Sequence, residues 1–425
     1  MSVAFSADEK FAQESDANDS LGKFRERFHI PSGPDGKPLI YFVGNSLGLM
    51  PKTVPSIVEQ ELEDWATLGV DAHLDAKTPW YSYHETVREG AARIVGAQPG
   101  EVVCMNSLTV NLHLMMATFF RPTQKRSKIM MEDPAFPSDT YAIKSQIVHH
   151  GFPPNESLIL ARPRDGEFTV RQEEIERVLE KRGDEIALVL LAGVNFFTGQ
   201  LFDISRITSL AQKHGCLVGI DLAHAAGNVP LALHDWNVDF AVWCSYKYLN
   251  SGPGGVAGAF VHERHARNRE LPRLAGWWGN DPATRFRMHL EPEFIPVPSA
   301  DAWQISNPPI LAMAPLRTSL AIFDEAGGMA PLRAKSLRLT SYFQFLLDQI
   351  PSEFFTVITP RESAQRGCQL SILINEHPKE LFAKLEAAGV KCDFREPNVI
   401  RAAPTPLYNT FHEVWRCAQI LAAHQ

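Results

Sequence analysis

The chain has 425 residues, which is long enough for two or three structural units with well-buried cores. Hydrophobic residues make up 45% of the sequence and charged residues 21%, a balance that is typical of folded globular proteins and excludes extensive disorder or fibrous repeats. The net charge of −8 provides no basic surface for a polyanion, so we expect no nucleic-acid partner.

The sequence predicts no membrane span. Its longest strongly apolar stretch, residues 186–197, is shorter than the roughly 18–20 residues that a bilayer requires. The first ten residues include acidic side chains and lack the basic and apolar regions of a signal peptide. The six cysteines form no CxxC pair, which predicts reduced thiols and no metal site. We therefore expect a cytoplasmic protein without a membrane partner.

Short apolar runs alternate with amphipathic stretches along most of the chain, the pattern of βαβ units that build a parallel sheet. After an N-terminal arm over residues 1–50, which we expect to contribute to a small domain, a large domain spans residues 51–310. We predict helices at 54–68, 85–95, from about 110, 172–181 and 204–214. We predict strands at 40–43, 102–105, 128–131, 157–160, 187–192 and 217–220.

The C-terminal part of the sequence predicts a second, smaller domain over residues 311–425. A loop-rich segment over 265–308 leads to adjacent prolines, which interrupt regular structure. A long helical run over 312–350 follows, and then predicted strands at 369–374 and 399–402. The predicted fold class is α/β, with a large domain whose mainly parallel sheet is flanked by helices and a smaller C-terminal α+β domain.

Two polar residues follow buried apolar runs in the middle of the chain. Asp221 comes directly after the predicted strand 217–220, and Lys247 follows the apolar run 238–244. Ligands of open α/β sheets bind beyond the carboxyl ends of the strands, so both side chains are expected to face one crevice. A desolvated lysine suits Schiff-base chemistry, and a carboxylate keeps the ring nitrogen of a pyridoxal cofactor protonated.

Each of these features also has an ordinary structural explanation. Lys247 alone fits a surface lysine at a strand end, and Asp221 alone fits a helix N-cap. Small polar residues at 106–111 lie at a predicted helix N-terminus, where free N–H groups favour a phosphate, but a plain capping sequence has the same composition.

Longer motifs occur in order along nearly the whole chain. They are YFVGNSLGL at 41–49, LTVNLH at 108–113, FPSD at 136–139, VNFFTGQ at 194–200, DLAH at 221–224, SYKY at 245–248, GW at 276–277, ISNPP at 305–309, RGCQLS at 366–371 and RAAPTPLYN at 401–409. Together they resemble kynureninase, a fold-type I pyridoxal-phosphate enzyme of the class V aminotransferase group.

The resemblance implies pyridoxal 5'-phosphate as cofactor, with Lys247 as the Schiff-base lysine and Asp221 paired with the ring nitrogen. Phe136 would stack on the ring, and Asp139 and His224 would lie close to it. The residues that would hold the phosphate or complete the site are Leu108, Thr109, Ser138, Tyr246, Trp277 and Asn307. Arg401 matches the arginine for the substrate α-carboxylate, and Asn45 lies in a loop that would approach the same group.

The implied reaction is hydrolysis of the Cβ–Cγ bond of L-kynurenine or 3-hydroxy-L-kynurenine, which gives anthranilate or 3-hydroxyanthranilate plus L-alanine in tryptophan catabolism and NAD biosynthesis. Lys247 would act as general acid and base, and Tyr246 would relay a proton during cleavage. A homodimer with a shared active site is also implied. His73, Ser306 and Asn307 match residues that line the pocket for the aromatic ring, which predicts a preference for the 3-hydroxy substrate.

The sequence differs from the family pattern at two positions, and three alternative functions remain open at this point. Ala192 stands where the family usually places Ser or Thr, and Asn280 stands where many relatives have His. A cysteine desulfurase or a class V aminotransferase would use the same fold, and a binding protein without catalytic activity would use the fold without the chemistry. Cys368, within an apolar strand entry, fits the reactive cysteine of a desulfurase poorly.

Overall fold

The computed structural model describes residues 5–351 and 353–423. Its α-helices are α1 (Glu9–Ala17), α2 (Val54–Leu68), α3 (Ala72–Asp75), α4 (Glu85–Val95), α5 (Leu108–Phe119), α6 (Pro137–His149), α7 (Pro154–Ser157), α8 (Gln172–Arg182), α9 (Ile204–Lys213), α10 (Glu263–Ala266), α11 (Ile310–Glu325), α12 (Met329–Leu347), α13 (Pro378–Ala387) and α14 (Phe411–Ala422). Its strands are β1 (Ile40–Tyr41), β2 (Val102–Cys104), β3 (Lys128–Glu132), β4 (Leu158–Ala161), β5 (Ile186–Ala192), β6 (Leu217–Asp221), β7 (Phe240–Trp243), β8 (Gly258–Val261), β9 (Phe355–Val357), β10 (Leu370–Ile374), β11 (Val390–Lys391), β12 (Asp393–Arg395) and β13 (Val399–Ala402).

A central sheet of seven strands has the order β2-β8-β7-β6-β5-β3-β4. Strands β3 to β7 pair in parallel, whereas β8 is antiparallel to both of its neighbours. The strands are apolar and almost entirely buried because helices cover the sheet, which is typical of α/β proteins. The predicted fold class, with its mainly parallel sheet, is confirmed, and the parallel pairing brings the carboxyl ends of β3, β5, β6 and β7 to one edge.

A second sheet, with the order β12-β13-β10-β9, is antiparallel and belongs to the C-terminal part of the chain. Its core of side chains such as Phe343, Leu370 and Val414 also includes Ile40 and Phe42 from the N-terminal part. Helix α1 packs on α14, and β1 pairs in parallel with β11. Helix α1 and strand β1 therefore pack with elements of the C-terminal part of the chain.

The predicted helical run over 312–350 is not continuous. Helices α11 and α12 divide it, because Gly327 and Gly328 adopt φ values of 85° and 77°, which lie in the left-handed region that glycine tolerates best. Other predicted boundaries move by one or two residues, and the helix predicted from about residue 110 begins at Leu108. Among the helices of the described ranges, none combines the length and apolarity that crossing a membrane requires.

Candidate active site

Polar side chains collect at the carboxyl edge of the central sheet. Asp221 is the last residue of β6 and is paired with Ala192, the last residue of β5. Glu132 ends β3 on the far side of β5, and Lys247 follows shortly after β7. Because these strands are parallel neighbours, residues that are far apart in the sequence meet at this edge.

One cavity at this edge is lined by most of the predicted cofactor residues. They are Leu108, Thr109, Phe136, Ser138, Asp139, Asp221, His224, Tyr246 and Lys247. Apolar side chains complete the wall, namely Ala192, Val194, Phe196 and Ala223. Phe136 is 39% exposed although it lies in the cavity wall, so its ring face is open to a planar ligand.

Lys247 contacts His224 inside the cavity. Its Nζ lies 3.0 Å from His224 Nε2 and 5.8 Å from the centroid of the Phe136 ring. Burial holds the pKa of His224 well below its ordinary value, and the nearby charge of Lys247 lowers it further. The imidazole is therefore neutral and accepts a hydrogen bond from the lysine. The other nitrogen of His224, Nδ1, is buried without a hydrogen-bond partner among the described residues.

Two helices of full length begin at the cavity. In α5 and α6 the residue before the first turn provides no side-chain cap. The first N–H groups of α5 remain free, whereas α6 begins with Pro137, which has no N–H, and its Asp139 N–H donates to the Phe136 carbonyl over 3.0 Å, so α6 offers the N–H of Ser138. The hydroxyl oxygens of Thr109 and Ser138 lie 3.3 Å apart at these two N-termini. Free N–H groups, two hydroxyls and two helix dipoles are the features that favour a phosphate group.

Three buried acidic side chains lie next to this site. Asp221 Oδ1 accepts a hydrogen bond of 2.7 Å from the Ala223 N–H, which fixes the carboxylate. Burial and the neighbouring Asp221 hold the pKa of Asp139 well above its ordinary value. Burial also raises the pKa of Glu132 to about 7, and the charge of Asp221 adds to this shift.

We expect the substitution Glu132→Gln to change how stability depends on pH. Glu132 ionises with a pKa of 4.5 in the unfolded chain but of about 7 in the folded protein. The free energy of unfolding therefore falls as the pH rises from about 4.5 to about 7. One pKa unit corresponds to about 1.4 kcal/mol. Between pH 5 and pH 8 the free energy of unfolding of the variant should therefore fall by about 3 kcal/mol less than that of the parent protein. Urea unfolding of the cofactor-free proteins measures this difference, and the exposed Glu180→Gln variant is the control. Parallel curves for parent and Glu132→Gln would contradict the prediction.

The predicted residues for the substrate carboxylate lie beside the cavity. Arg401 is 1% exposed, donates from Nη1 to the Phe196 carbonyl over 2.5 Å and forms an ion pair with Asp393 through Nη2. Burial lowers the pKa of Arg401 to about 10, which leaves it charged at neutral pH. Asn45 Nδ2 donates to Gln369 Oε1 over 2.8 Å, and this amide joins the N-terminal loop to the C-terminal sheet.

The loop that carries Asn45 approaches the lysine segment closely. The N–H of Gly48 donates to the Tyr246 carbonyl over 2.8 Å. A Cβ atom at Gly48 would lie only 2.3 Å from the Lys247 carbonyl oxygen, so any larger residue would displace the loop. Gly48, the second glycine of the YFVGNSLGL motif, is therefore needed for contact between this loop and Lys247.

The remaining predicted residues do not line the Lys247 cavity within one chain. His73 and Asn307 line a separate cavity with Glu61, Trp65 and Trp80. Ser306 and Asn307 are exposed, and Trp277 packs edge-on against Trp278 with ring centroids 4.8 Å apart. The structure therefore brings together the residues of the sheet edge and separates His73, Trp277, Ser306 and Asn307 from them.

Two residues of this region, Glu132 and Asp393, were not predicted from the sequence. Glu132 follows the predicted strand 128–131 in the way that Asp221 follows its own strand, so the same argument would have found it. Asp393 has no comparable signal, because only the pairing of β12 with β13 brings it opposite Arg401.

A cluster of possible metal ligands lies away from this site. Glu101, His234 and His262 place their ligand atoms within 4.8 Å of one another. Their polar atoms, however, already form hydrogen bonds with one another and with backbone N–H groups of α10. Glu101 Oε1 contacts His234 Nδ1 at 2.9 Å and accepts from the Glu263 N–H, while His262 Nδ1 accepts from the Arg264 N–H at the start of α10. This arrangement stabilises the start of a helix without an ion.

Structural neighbours of the chain share its fold. A C-DES mutant with glycine covalently linked to its PLP cofactor superposes with a TM-score of 0.77 and 16% sequence identity, covering 93% of this chain and 98% of that chain. The cysteine desulfurase CsdA from Escherichia coli gives a TM-score of 0.73 with 16% identity over 94% of this chain and 97% of that one. At such identity the similarity establishes the fold alone.

Sequence comparisons are more specific. Residues 332–421 match the kynureninase C-terminal domain, and residues 43–235 match the aminotransferase class I and II family. Kynureninase from Myxococcus xanthus is 54% identical over 99% of this chain and 98% of its own length. Kynureninase from Koribacter versatilis is also 54% identical, over 99% of both chains. The chain belongs to the kynureninase family.

Proposed function

We propose that the cavity around Lys247 binds pyridoxal 5'-phosphate and hydrolyses the Cβ–Cγ bond of L-kynurenine, releasing anthranilate and L-alanine. The observation that carries the proposal is the meeting of Lys247 and Asp221 with the N-termini of α5 and α6 in one cavity. A lysine, a carboxylate and a phosphate-binding corner are the three protein features that this cofactor requires. Full-length similarity to kynureninases supports the choice of substrate.

The polar groups of the cavity fit this cofactor. The helix N-termini with Thr109 and Ser138 would hold its phosphate, Asp221 its ring nitrogen, and Phe136 its ring face. Asp139 Oδ1 and His224 Nδ1 are buried without partners among the described residues, so polar atoms remain available for a ligand. When bound, the cofactor supplies an electron sink that allows the α-proton to leave and the carbon–carbon bond to break.

The residues of the chain then perform the binding and proton-transfer steps. Arg401 and Asn45 bind the α-carboxylate and orient the amino acid beside Lys247. Lys247 removes the α-proton, and its neutral neighbour His224 holds the amine in position between transfers. Burial keeps the pKa of Tyr246 above its ordinary value, so its hydroxyl stays protonated and donates a proton during cleavage.

The desulfurase alternative is disfavoured by the environment of its candidate nucleophile. Cys368 is fully buried, and burial raises the pKa of its thiol to about 12. A thiol with this pKa is protonated at neutral pH and cannot attack a substrate. Its neighbours in the core are Tyr248 and Ala403, and it lies just before β10.

We further propose a homodimer in which each subunit completes its partner's site. Trp277, Ser306 and Asn307 lie away from Lys247 in their own chain, and the surface near them carries exposed apolar side chains such as Trp65 and Leu311. An N-terminal arm over 1–50, a cofactor-binding domain over 51–310 and a C-terminal domain over 311–425 would form each subunit. We place the enzyme in the cytoplasm, in tryptophan catabolism and NAD biosynthesis.

The substrate preference is part of the proposal. His73 and Asn307 share one cavity, which in the proposed homodimer would complete the partner's site and hold the aromatic ring of the substrate, so that a 3-hydroxyl would find hydrogen-bond partners there. A hydrogen bond worth roughly 1 kcal/mol corresponds to about a fivefold preference for 3-hydroxykynurenine. We expect His73→Ala to abolish this preference, whereas the exposed His149→Ala should retain it.

The test is kcat/KM for kynurenine and 3-hydroxykynurenine, measured side by side on the cofactor-loaded protein with no keto acid added. A higher value for kynurenine would contradict the ring-pocket assignment and leave the reaction class intact. Activity on neither substrate would contradict the proposed function itself.

A further inference from the structure

Three charged side chains form a cluster beside the cavity, and we call Asp393, Arg395 and Arg401 the Asp393 cluster. In the antiparallel pairing of β12 with β13, Asp393 lies directly opposite Arg401. Arg395 is two residues along β12, so its side chain leaves the same face of the sheet as that of Asp393. The backbone register alone therefore brings one carboxylate and two guanidinium groups together.

Both arginines bind the same oxygen of Asp393. Arg395 Nη2 lies 3.0 Å from Asp393 Oδ2, and Arg401 Nη2 forms a closer ion pair with that oxygen. The cluster carries two positive charges and one negative charge, so one positive charge remains uncompensated. The side chain of Arg401 is 1% exposed and that of Asp393 16%, whereas Arg395 lies at the rim and is 39% exposed. The net positive charge is therefore next to a buried arginine, where it attracts a ligand of opposite charge.

Unused donors remain on both arginines. The Nε atoms of Arg395 and Arg401 are buried and have no hydrogen-bond partner within the described ranges. For Arg401 the whole residue is 99% buried, so water does not replace the missing partner. Both arginines also contribute, after burial and Lys247, to lowering the pKa of His224 in the cavity wall. Their positive charges therefore act on the cavity in which Lys247 lies.

We propose that Arg395 is a positioning residue of the carboxylate subsite, acting through Asp393 on Arg401. Asp393 holds the guanidinium of Arg401 in orientation, but alone it would cancel the charge of that guanidinium. Arg395 shares the charge of Asp393, so Arg401 keeps a net attraction for the α-carboxylate of an amino acid. This inference rests on the proposed function only in assigning the cavity to an amino-acid substrate.

The test measures binding rather than turnover. The probes are L-alanine and ethylamine, which share an amino group and differ in the carboxylate, titrated into the cofactor-loaded protein and followed by the visible absorbance of the cofactor. In Arg395→Gln we expect the Kd of L-alanine to rise about tenfold or more and the Kd of ethylamine to change less than twofold. With kynurenine as substrate, KM should rise in the same proportion and kcat should stay within about threefold.

Two further variants make the result decisive. Arg395→Lys keeps the charge, so its Kd for L-alanine should stay within about threefold of the parent value, and this variant also decides the question if Arg395→Gln does not fold. Arg361→Gln, which removes an exposed ion pair with Asp348 in the same part of the chain, should change neither Kd. Equal weakening of both probes in Arg395→Gln, or an unchanged Kd for L-alanine, would overturn the proposal. If L-alanine binds as expected and kynurenine is not cleaved, the proposed function fails while this inference stands.

Discussion

Replacing Lys247 with alanine should lower kcat/KM for kynurenine by at least about 10⁴-fold. The side chain would both bind the cofactor and transfer the α-proton, and a positioned acid or base alone contributes roughly 10²–10⁴-fold. Among the residues that the structure describes, Lys247 has only His224 as a polar side-chain partner in the cavity, and no second amine lines its wall. The variant should also lose the visible absorbance of the lysine-bound cofactor.

The folded structure should tolerate this substitution. The amine forms no ion pair with a carboxylate in the described ranges, so its removal breaks no salt bridge. Circular dichroism and the thermal midpoint should therefore stay close to those of the parent protein. Lys144→Ala, which changes an exposed lysine on α6, is the matched control and should retain full activity. More than about 1% residual activity in Lys247→Ala would refute the role of Lys247.

Asp221→Asn should produce the second-largest loss, about 10²- to 10⁴-fold in kcat. Asparagine has nearly the same shape and can still accept the hydrogen bond from the Ala223 N–H. It has no negative charge, however, so it cannot keep the ring nitrogen of the cofactor protonated. The electron sink would therefore be weakened while the backbone around β6 stays in place.

Cofactor affinity and kcat together check this prediction. We expect Asp221→Asn to bind pyridoxal phosphate more weakly because the contact with the ring nitrogen is lost. Binding should not be abolished, because the phosphate contacts at α5 and α6 remain. Asp221→Glu, which keeps the charge, should recover part of the activity. Asp184→Asn, at an exposed position, is the control. A kcat in Asp221→Asn within threefold of the parent value would contradict the role of the carboxylate.

The central sheet and the residues at its edge could be predicted from sequence because the signals are local. Buried parallel strands appear as apolar runs, and the polar residue after each run lies at the ligand-binding edge. Asp221 and Lys247 were predicted in this way, and the structure brings both into one cavity. The break between α11 and α12 was missed because the two glycines lie inside an otherwise helical pattern.

Contacts between distant parts of the chain could not be predicted from such local signals. The hydrogen bond between Asn45 and Gln369 depends on how the N-terminal loop packs on the C-terminal sheet. The Asp393 cluster depends on the register of β12 against β13, which a short strand pattern does not determine. The distances of His73 and Trp277 from the Lys247 cavity likewise follow from tertiary packing and not from motif spacing.

The most direct test of the central claim is product stoichiometry. The cofactor-loaded protein is incubated with L-kynurenine in the absence of any keto acid, and anthranilate and L-alanine are quantified over many turnovers. Hydrolysis at the Lys247 cavity predicts equal amounts of the two products and continued turnover. Turnover that stops after one equivalent and resumes only when a keto acid is added, or the absence of anthranilate, would contradict the account.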